Sequence, residues 1–194
     1  HGGAADILVG TQMLAKGHHF PHVTLVVILD IDSGLFSADF RSAEKMGQLL
    51  EQVAGRAGRA EQPGKVLIQS RFAEHPLLQT LLTDGYQRLA RLLLAERQLA
   101  GLPPYAYLAL LRAEHADPQR ARMLLREWAS VLQGLCEAGV QVAGPWPATM
   151  EKRAGFYRFD LQIKSGSRVA LQKTLARFCA LAETQKLPAG LRWS

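Results

Sequence analysis

Two cysteines, Cys136 and Cys179, are all that the 194 residues contain, and they stand far apart with no CxxC spacing. Neither a zinc ribbon nor a disulfide framework is expected, both thiols read as small core hydrophobes, and a reducing cytoplasm is the default compartment. No apolar run approaches the length of a membrane span, so membrane contact is not expected. The opening His1-Gly2-Gly3 is neither an initiator nor a signal peptide, and the chain is expected to start inside something larger. The phosphate-loop pattern G-x-x-x-x-G-K-[ST] occurs nowhere, so that route to cradling a nucleoside triphosphate is missing.

What is present is a chain 48% apolar, enough for one or two domains with real cores. Its charge is unevenly divided. From His1 to Phe72 seven Lys/Arg meet seven Asp/Glu, whereas from Ala73 to Ser194 sixteen meet ten, so the whole net +6 lies in the second part. Lys152 to Arg192 holds nine basic residues against Asp160 and Glu183. Such a face suits phosphate backbones or an acidic peptide tail, or is a solvated charged surface.

Ile7-Leu8-Val9, Val23–Leu29 and Lys65–Gln69 are apolar runs without polar alternation, as in strands buried on both faces of a parallel sheet. A helix at Gln12–Lys16 would make the first crossover. A second, Asp39–Ala54, has Ala43, Met46, Leu50 and Val53 on one face and is expected to stop at Gly55. The fold class is therefore α/β, a doubly wound unit at the start. Asp30 and Asp32 read as turn caps or as a carboxylate pair; Phe36 and Phe40 as packing or as stacking residues. Pro21 prevents helical pairing of His18 with His22, which leaves little case for a metal among His18, His19 and His22. Leu77, Leu81, Tyr86, Leu89, Leu92, Leu93 and Leu99 then mark a long helix that starts near Pro76 and ends before Gly101. The remainder reads as strand 105–114, helix 118–137, strand 140–143, a loop 145–155, strand 156–164, helix 167–185 and a strand from Leu191: a small α+β sandwich.

The stretch that best focuses this pattern is Gln52-Val53-Ala54-Gly55-Arg56-Ala57-Gly58-Arg59. Two forked, permanently charged guanidiniums three residues apart between glycines can converge on one polyphosphate; the same spacing also describes a charged, glycine-rich cap.

This octet resembles the arginine-finger motif Q-x-x-G-R-x-G-R of superfamily-two helicases. Ile7-Leu8-Val9-Gly10-Thr11-Gln12-Met13-Leu14-Ala15-Lys16-Gly17-His18-His19-Phe20-Pro21 is similar to the preceding motif in the form used by the PriA family of replication-restart helicases. Asp39-Phe40-Arg41 with Glu44, Leu102-Pro103-Pro104-Tyr105 and Gly144-Pro145-Trp146-Pro147-Ala148 carry the resemblance over nearly the whole chain. It implies the later half of a second, RecA-like motor lobe (1–72), a linking helix (73–101) and a C-terminal α+β domain (102–194). A lobe beginning at His1 is expected to leave a sheet edge exposed.

By that resemblance, Arg59 with Arg56 serves ATP hydrolysis, Gln52, Gly55 and Gly17 meet the nucleotide, and Thr11 and Lys16 meet DNA. ATP and Mg²⁺ would sit mainly on the first lobe, so the chain alone is expected to lack ATPase activity; the family's zinc-binding cysteines are expected upstream. His19 stands where the family commonly has an acidic residue, and that residue's role does not carry over. In the C-terminal part, Lys152, Arg153, Trp146, Tyr157 and Arg158 intermix cations and rings as single-strand binding requires, although Trp146 beside two prolines can equally be buried. Arg168 and Gln172, four apart on a helix, are implied to receive the acidic tail of the single-stranded-DNA-binding protein, or form an ordinary exposed surface. The implied whole is a 3′-to-5′ helicase working with other primosome proteins on single-stranded and forked DNA. The competing reading is a non-enzymatic adaptor that recruits DNA or an acidic tail.

Overall fold

The computed structural model describes residues 7–11, 23–57, 64–185, 187 and 189–194, together with the side chains of all of these but 56 and 57. The chain divides into two compact units, His1–Leu94 and Ala95–Ser194.

In the first unit, β1 (Leu25–Ile28) and β2 (Lys65–Ile68) pair in parallel, Leu25 opposite Lys65 and Ile28 opposite Ile68. Between them lie a single helical turn, α1 (Asp32–Leu35), and α2 (Ser42–Ala57); α3 (Pro76–Ala100) follows. Asp32 fastens the two strand exits together, accepting hydrogen bonds from Ser70 Oγ at 2.6 Å and the Arg71 amide at 2.9 Å. It thus acts as a cap. The Ser70 hydroxyl, then the Arg71 amide, hold its carboxyl below the ordinary aspartate value. The core joins Met46 and Leu50 of α2 to Leu78, Leu81, Leu89 and Leu93 of α3, with Ile31. At Gly47 the two helices come so close that a Cβ would lie 2.7 Å from Leu89 Cδ2 and 3.0 Å from Tyr86 Cδ2. Within α3, Gly85 adopts φ 81°, ψ 175°, a conformation essentially reserved for glycine, and breaks the helix into two segments.

Four expectations are corrected here. Ile7-Leu8-Val9 is no strand: residues 7–11 have no regular structure, and these three side chains are exposed, because the run has neither a ladder partner nor a cover among the described residues. The parallel sheet is accordingly two-stranded there. Its strands alternate, with Leu25, Val27 and Leu67 about half exposed and their neighbours turned toward α2, rather than being buried on both faces. The helix does not stop at Gly55 but runs to Ala57. Glycine in a helix costs only about 1 kcal/mol against alanine, and Gly55 has no left-handed φ to force a turn. The crossover helix at Gln12–Lys16 lies outside the described residues.

In the second unit the order is β3 (Tyr107–His115), α4 (Pro118–Leu135), β4 (Val140–Arg153), β5 (Phe156–Ser165), α5 (Arg168–Ala182) and β6 (Arg192–Trp193). They form an antiparallel sheet in the order β4-β5-β3-β6. Asp117, extended, caps α4 by accepting the Gln119 amide at 2.9 Å ahead of Pro118; Ser167 caps α5 through the Ala170 amide at 3.3 Å. Alternation decides the layers. Leu111 and Ala113 of β3 and Phe159, Leu161 and Ile163 of β5 point one way, onto Leu125, Trp128 and Leu132 of α4 and Leu171 and Phe178 of α5. Trp193 of β6 closes this core edge-on against Trp128 at 5.4 Å, and the Trp128 indole donates to Gln185 Oε1 at 2.9 Å.

The stretch 145–155 is not a projecting loop. β4 runs straight through Pro145 and Pro147 to Arg153, with register shifts after Ala143 and after Pro147. Prolines are tolerated because β4 is an edge strand; Pro145 falls within the first shift, and Pro147, opposite Phe159, stands just before the second.

Candidate nucleotide and nucleic-acid interface

The first group of site residues gathers at the end of α2. Val53, with Met46 and Leu50, is buried, and this fixes the opposite side of the last turns, including Gln52 and Gly55, toward solvent. Arg56 lies one turn past Gln52 within the helix, so it leaves a rigid helical backbone rather than a flexible turn. The start of α2 is tied down by Asp39. Its carboxylate accepts the Arg41 amide at 2.9 Å and Lys45 Nζ at 2.8 Å, and these bonds outweigh a desolvation penalty and hold the carboxyl below its ordinary value. Phe36 packs edge-on against Phe72 at 4.7 Å, and the Arg41 guanidinium lies 5.2 Å over the Phe40 ring. Thr11 is exposed. Lys16, Gly17, His18, His19, His22 and Arg59 lie outside the described residues. Among the described residues no group of His, Cys, Asp or Glu could hold a metal ion, and no helix is long and apolar enough to cross a membrane.

The second group lies on the β4–β5 hairpin, and the register separates its members. Lys152 pairs with Tyr157, its ammonium 4.6 Å over the ring and 3.3 Å from the hydroxyl; Tyr157 borders the helix-side core. Trp146, Arg153 and Arg158 belong to the opposite, uncovered face. Trp146 is 50% exposed. Arg158 is the most enclosed, its side chain 13% exposed and its Nε 3.7 Å from Glu114 Oε2. Arg168 and Gln172 are both exposed on α5, one turn apart.

Several residues of the uncovered face escaped the reading of the sequence. Arg112 makes a bidentate pair with Asp160, at 2.7 and 2.8 Å, which raises the guanidinium's pKa despite some desolvation. Arg192 lies 4.9 Å over the Phe156 ring and 4.0 Å from Glu114, and Leu110 is 54% exposed. The available signal was the period of two from Phe156 to Lys164, which sets Arg158, Asp160, Gln162 and Lys164 on one side.

A parallel α/β unit whose helix α2 ends in the Gln52–Arg56 stretch, followed by a basic α+β unit, is an arrangement of helicases. Residues 1–61 match the family model described as Helicase conserved C-terminal domain. Residues 98–194, half of the chain, match the one described as Primosomal protein N C-terminal domain, and the chain belongs to that family, PriA. It is 48% identical over 91% of its length to the Replication restart protein PriA of Haemophilus influenzae, covering 24% of that protein. With the proteins of the same name from Bacillus subtilis and Synechocystis it shares 41% and 39% identity over 90% of its length, covering 22% and 21% of them. The chain thus spans about a quarter of the length of the curated relatives it matches.

Proposed function

We propose that this chain is the C-terminal part of an ATP-driven 3′-to-5′ DNA helicase of replication restart, combining half of the second motor lobe with a DNA- and partner-binding domain. The observation that carries this reading is the helix α2, which runs unbroken through Gln52, Gly55 and Arg56 inside the stretch matched by the helicase model. A rigid helix delivers its terminal arginine with little entropy cost. Arg59, aided by Arg56, stabilises charge on the transferring γ-phosphate of ATP held by the other lobe, while Gln52, Gly55 and Gly17 line the nucleotide. Mg²⁺ would accompany the ATP on the first lobe, and zinc belongs elsewhere in the protein. Thr11 and Lys16 grip the DNA backbone and move with lobe closure. In the second unit Trp146, Arg153 and Arg158, on one face of the β4–β5 hairpin, hold single-stranded or forked DNA, with Lys152 and Tyr157 contributing from the hairpin's other face. Arg168 and Gln172 receive the acidic tail of the single-stranded-DNA-binding protein, and other primosome proteins assemble with the whole, in the cytoplasm.

In the full-length protein, Arg59→Ala is expected to cut ATP turnover by about 10³-fold or more with little change in DNA affinity. Unchanged turnover would support instead a non-enzymatic adaptor. The 194-residue chain alone should hydrolyse no ATP.

A further inference from the structure

The sheet of the second unit has one face buried under α4 and α5, while the other carries a graded set of side chains in cross-strand rows. Directly paired residues share a face. Reading across, one row is Arg158, Glu114 and Arg192; the next is Trp146, Asp160 and Arg112; the next is Ala143, Gln162 and Leu110; and the last is Gln141, Lys164 and Leu108. Phe156 and Arg153 pair at the hairpin end. Both carboxylates on this face, Asp160 and Glu114, are already engaged by arginines, so the face is electropositive overall. Its apolar content is concentrated in Trp146 and Leu110, each at least half exposed, and in the Arg192–Phe156 stack.

We propose that single-stranded DNA, rather than duplex, lies across this open face, its bases stacking on Trp146 and on the Arg192–Phe156 pair and its phosphates held by Arg153, Arg192 and Lys164. The proposal rests on the reading that the second unit holds DNA and assigns where and in which form. Bases can stack on rings and guanidinium planes only when unpaired; a duplex hides those faces and offers phosphates alone. Phe156 lies four residues along β5 from Asp160, the partner of Trp146, about 14 Å at roughly 3.4 Å each, with Arg192 in the row between, so a single strand running along β5 meets both. The Arg112–Asp160 pair shares the row of Trp146, and the row between the two points is Arg158, Glu114 and Arg192, so neither carboxylate is presented free to the phosphates.

The test is anisotropy titration of the 194-residue chain with a labelled oligothymidine and with a duplex of equal length, over a salt series. The single strand should bind the more tightly. Trp146→Ala should weaken it by about 10-fold and leave the duplex unchanged, with Trp146→Phe largely restoring affinity. Arg192→Ala should also lower the salt slope by about 0.7, whereas Arg126→Ala on α4, equal in charge change, should have no such effect. Circular dichroism of each variant separates misfolding from lost contact. Single-strand binding by the parent chain that Trp146→Ala and Arg192→Ala leave untouched overturns the assignment of this face but not the wider reading. No DNA binding by the parent chain overturns both.

Discussion

The two sheets of this protein each leave a face uncovered among the described residues, and the two faces are made of different material. In the first unit it is Leu25, Val27 and Leu67 on parallel strands; in the second it is arginine, lysine, aspartate, glutamate and glutamine on antiparallel ones, with Trp146 and Leu110 set among them. Parallel strands are selected for cover on both sides, antiparallel strands for one wet side, and the residues carry that history whatever lies against them. An uncovered apolar face is a place for protein, and an uncovered charged and aromatic face is a place for water and ligand.

The largest effect that tests this contrast is in the buried layer. Leu161→Ala, under α4 and α5, should cost about 2–5 kcal/mol, read by urea unfolding. All three tryptophans, Trp128, Trp146 and Trp193, lie in the second unit, so their fluorescence reports that unit's transition alone. Gly47→Ala should destabilise the first unit by about 1–3 kcal/mol, since its Cβ would lie 2.7 Å from Leu89 Cδ2 and 3.0 Å from Tyr86 Cδ2, and its loss shows in far-ultraviolet circular dichroism with little change in tryptophan emission. Asp160→Asn, which weakens a part-exposed bidentate pair, should cost about 1–2 kcal/mol in the second unit. Asp32 and Asp39 give the first unit an acid limit. Their folded pKa values are lowered, so their contribution is present in full above the ordinary value of 3.8 and is lost as pH falls below it. Asp32→Asn should flatten the acid side of that unit's stability profile. Smallest of all, Val27→Thr on the uncovered apolar face should stay within about 0.5 kcal/mol of the parent chain.

The second unit was largely legible in its sequence because each signal was local. Alternation in Phe156–Lys164, Asp117 and Ser167 before helical stretches and the 3.6-residue period of α4 and α5 all agree with one another. The exception was residues 145–155, where two prolines suggest a loop and only the ladder with β5 shows an edge strand with register shifts. The first unit was harder to read. Its apolar runs state what a strand prefers but not whether a partner is at hand, and so Ile7-Leu8-Val9 reads as a strand and is none. Gly55 reads as a stop, because from sequence alone a glycine that is tolerated in a helix is indistinguishable from one that ends it. The site divides along the same line. Trp146 and the cations were visible as composition, whereas the roles of Arg192, Phe156 and Arg112 depend on cross-strand register, which joins residues some 36 to 80 positions apart.

The break at Gly85 acts on α3 as a phase reset. An unbroken helix of 25 residues carries its apolar stripe steadily around its axis relative to a fixed neighbour. With φ 81° at one residue, Leu78 and Leu81 on one side and Leu89 and Leu93 on the other are re-aimed independently, and all four reach the same core as Met46 and Leu50. A side chain at position 85 would therefore do more than strain one residue: it would couple the two segments' rotations, so that aligning either with α2 would misalign the other.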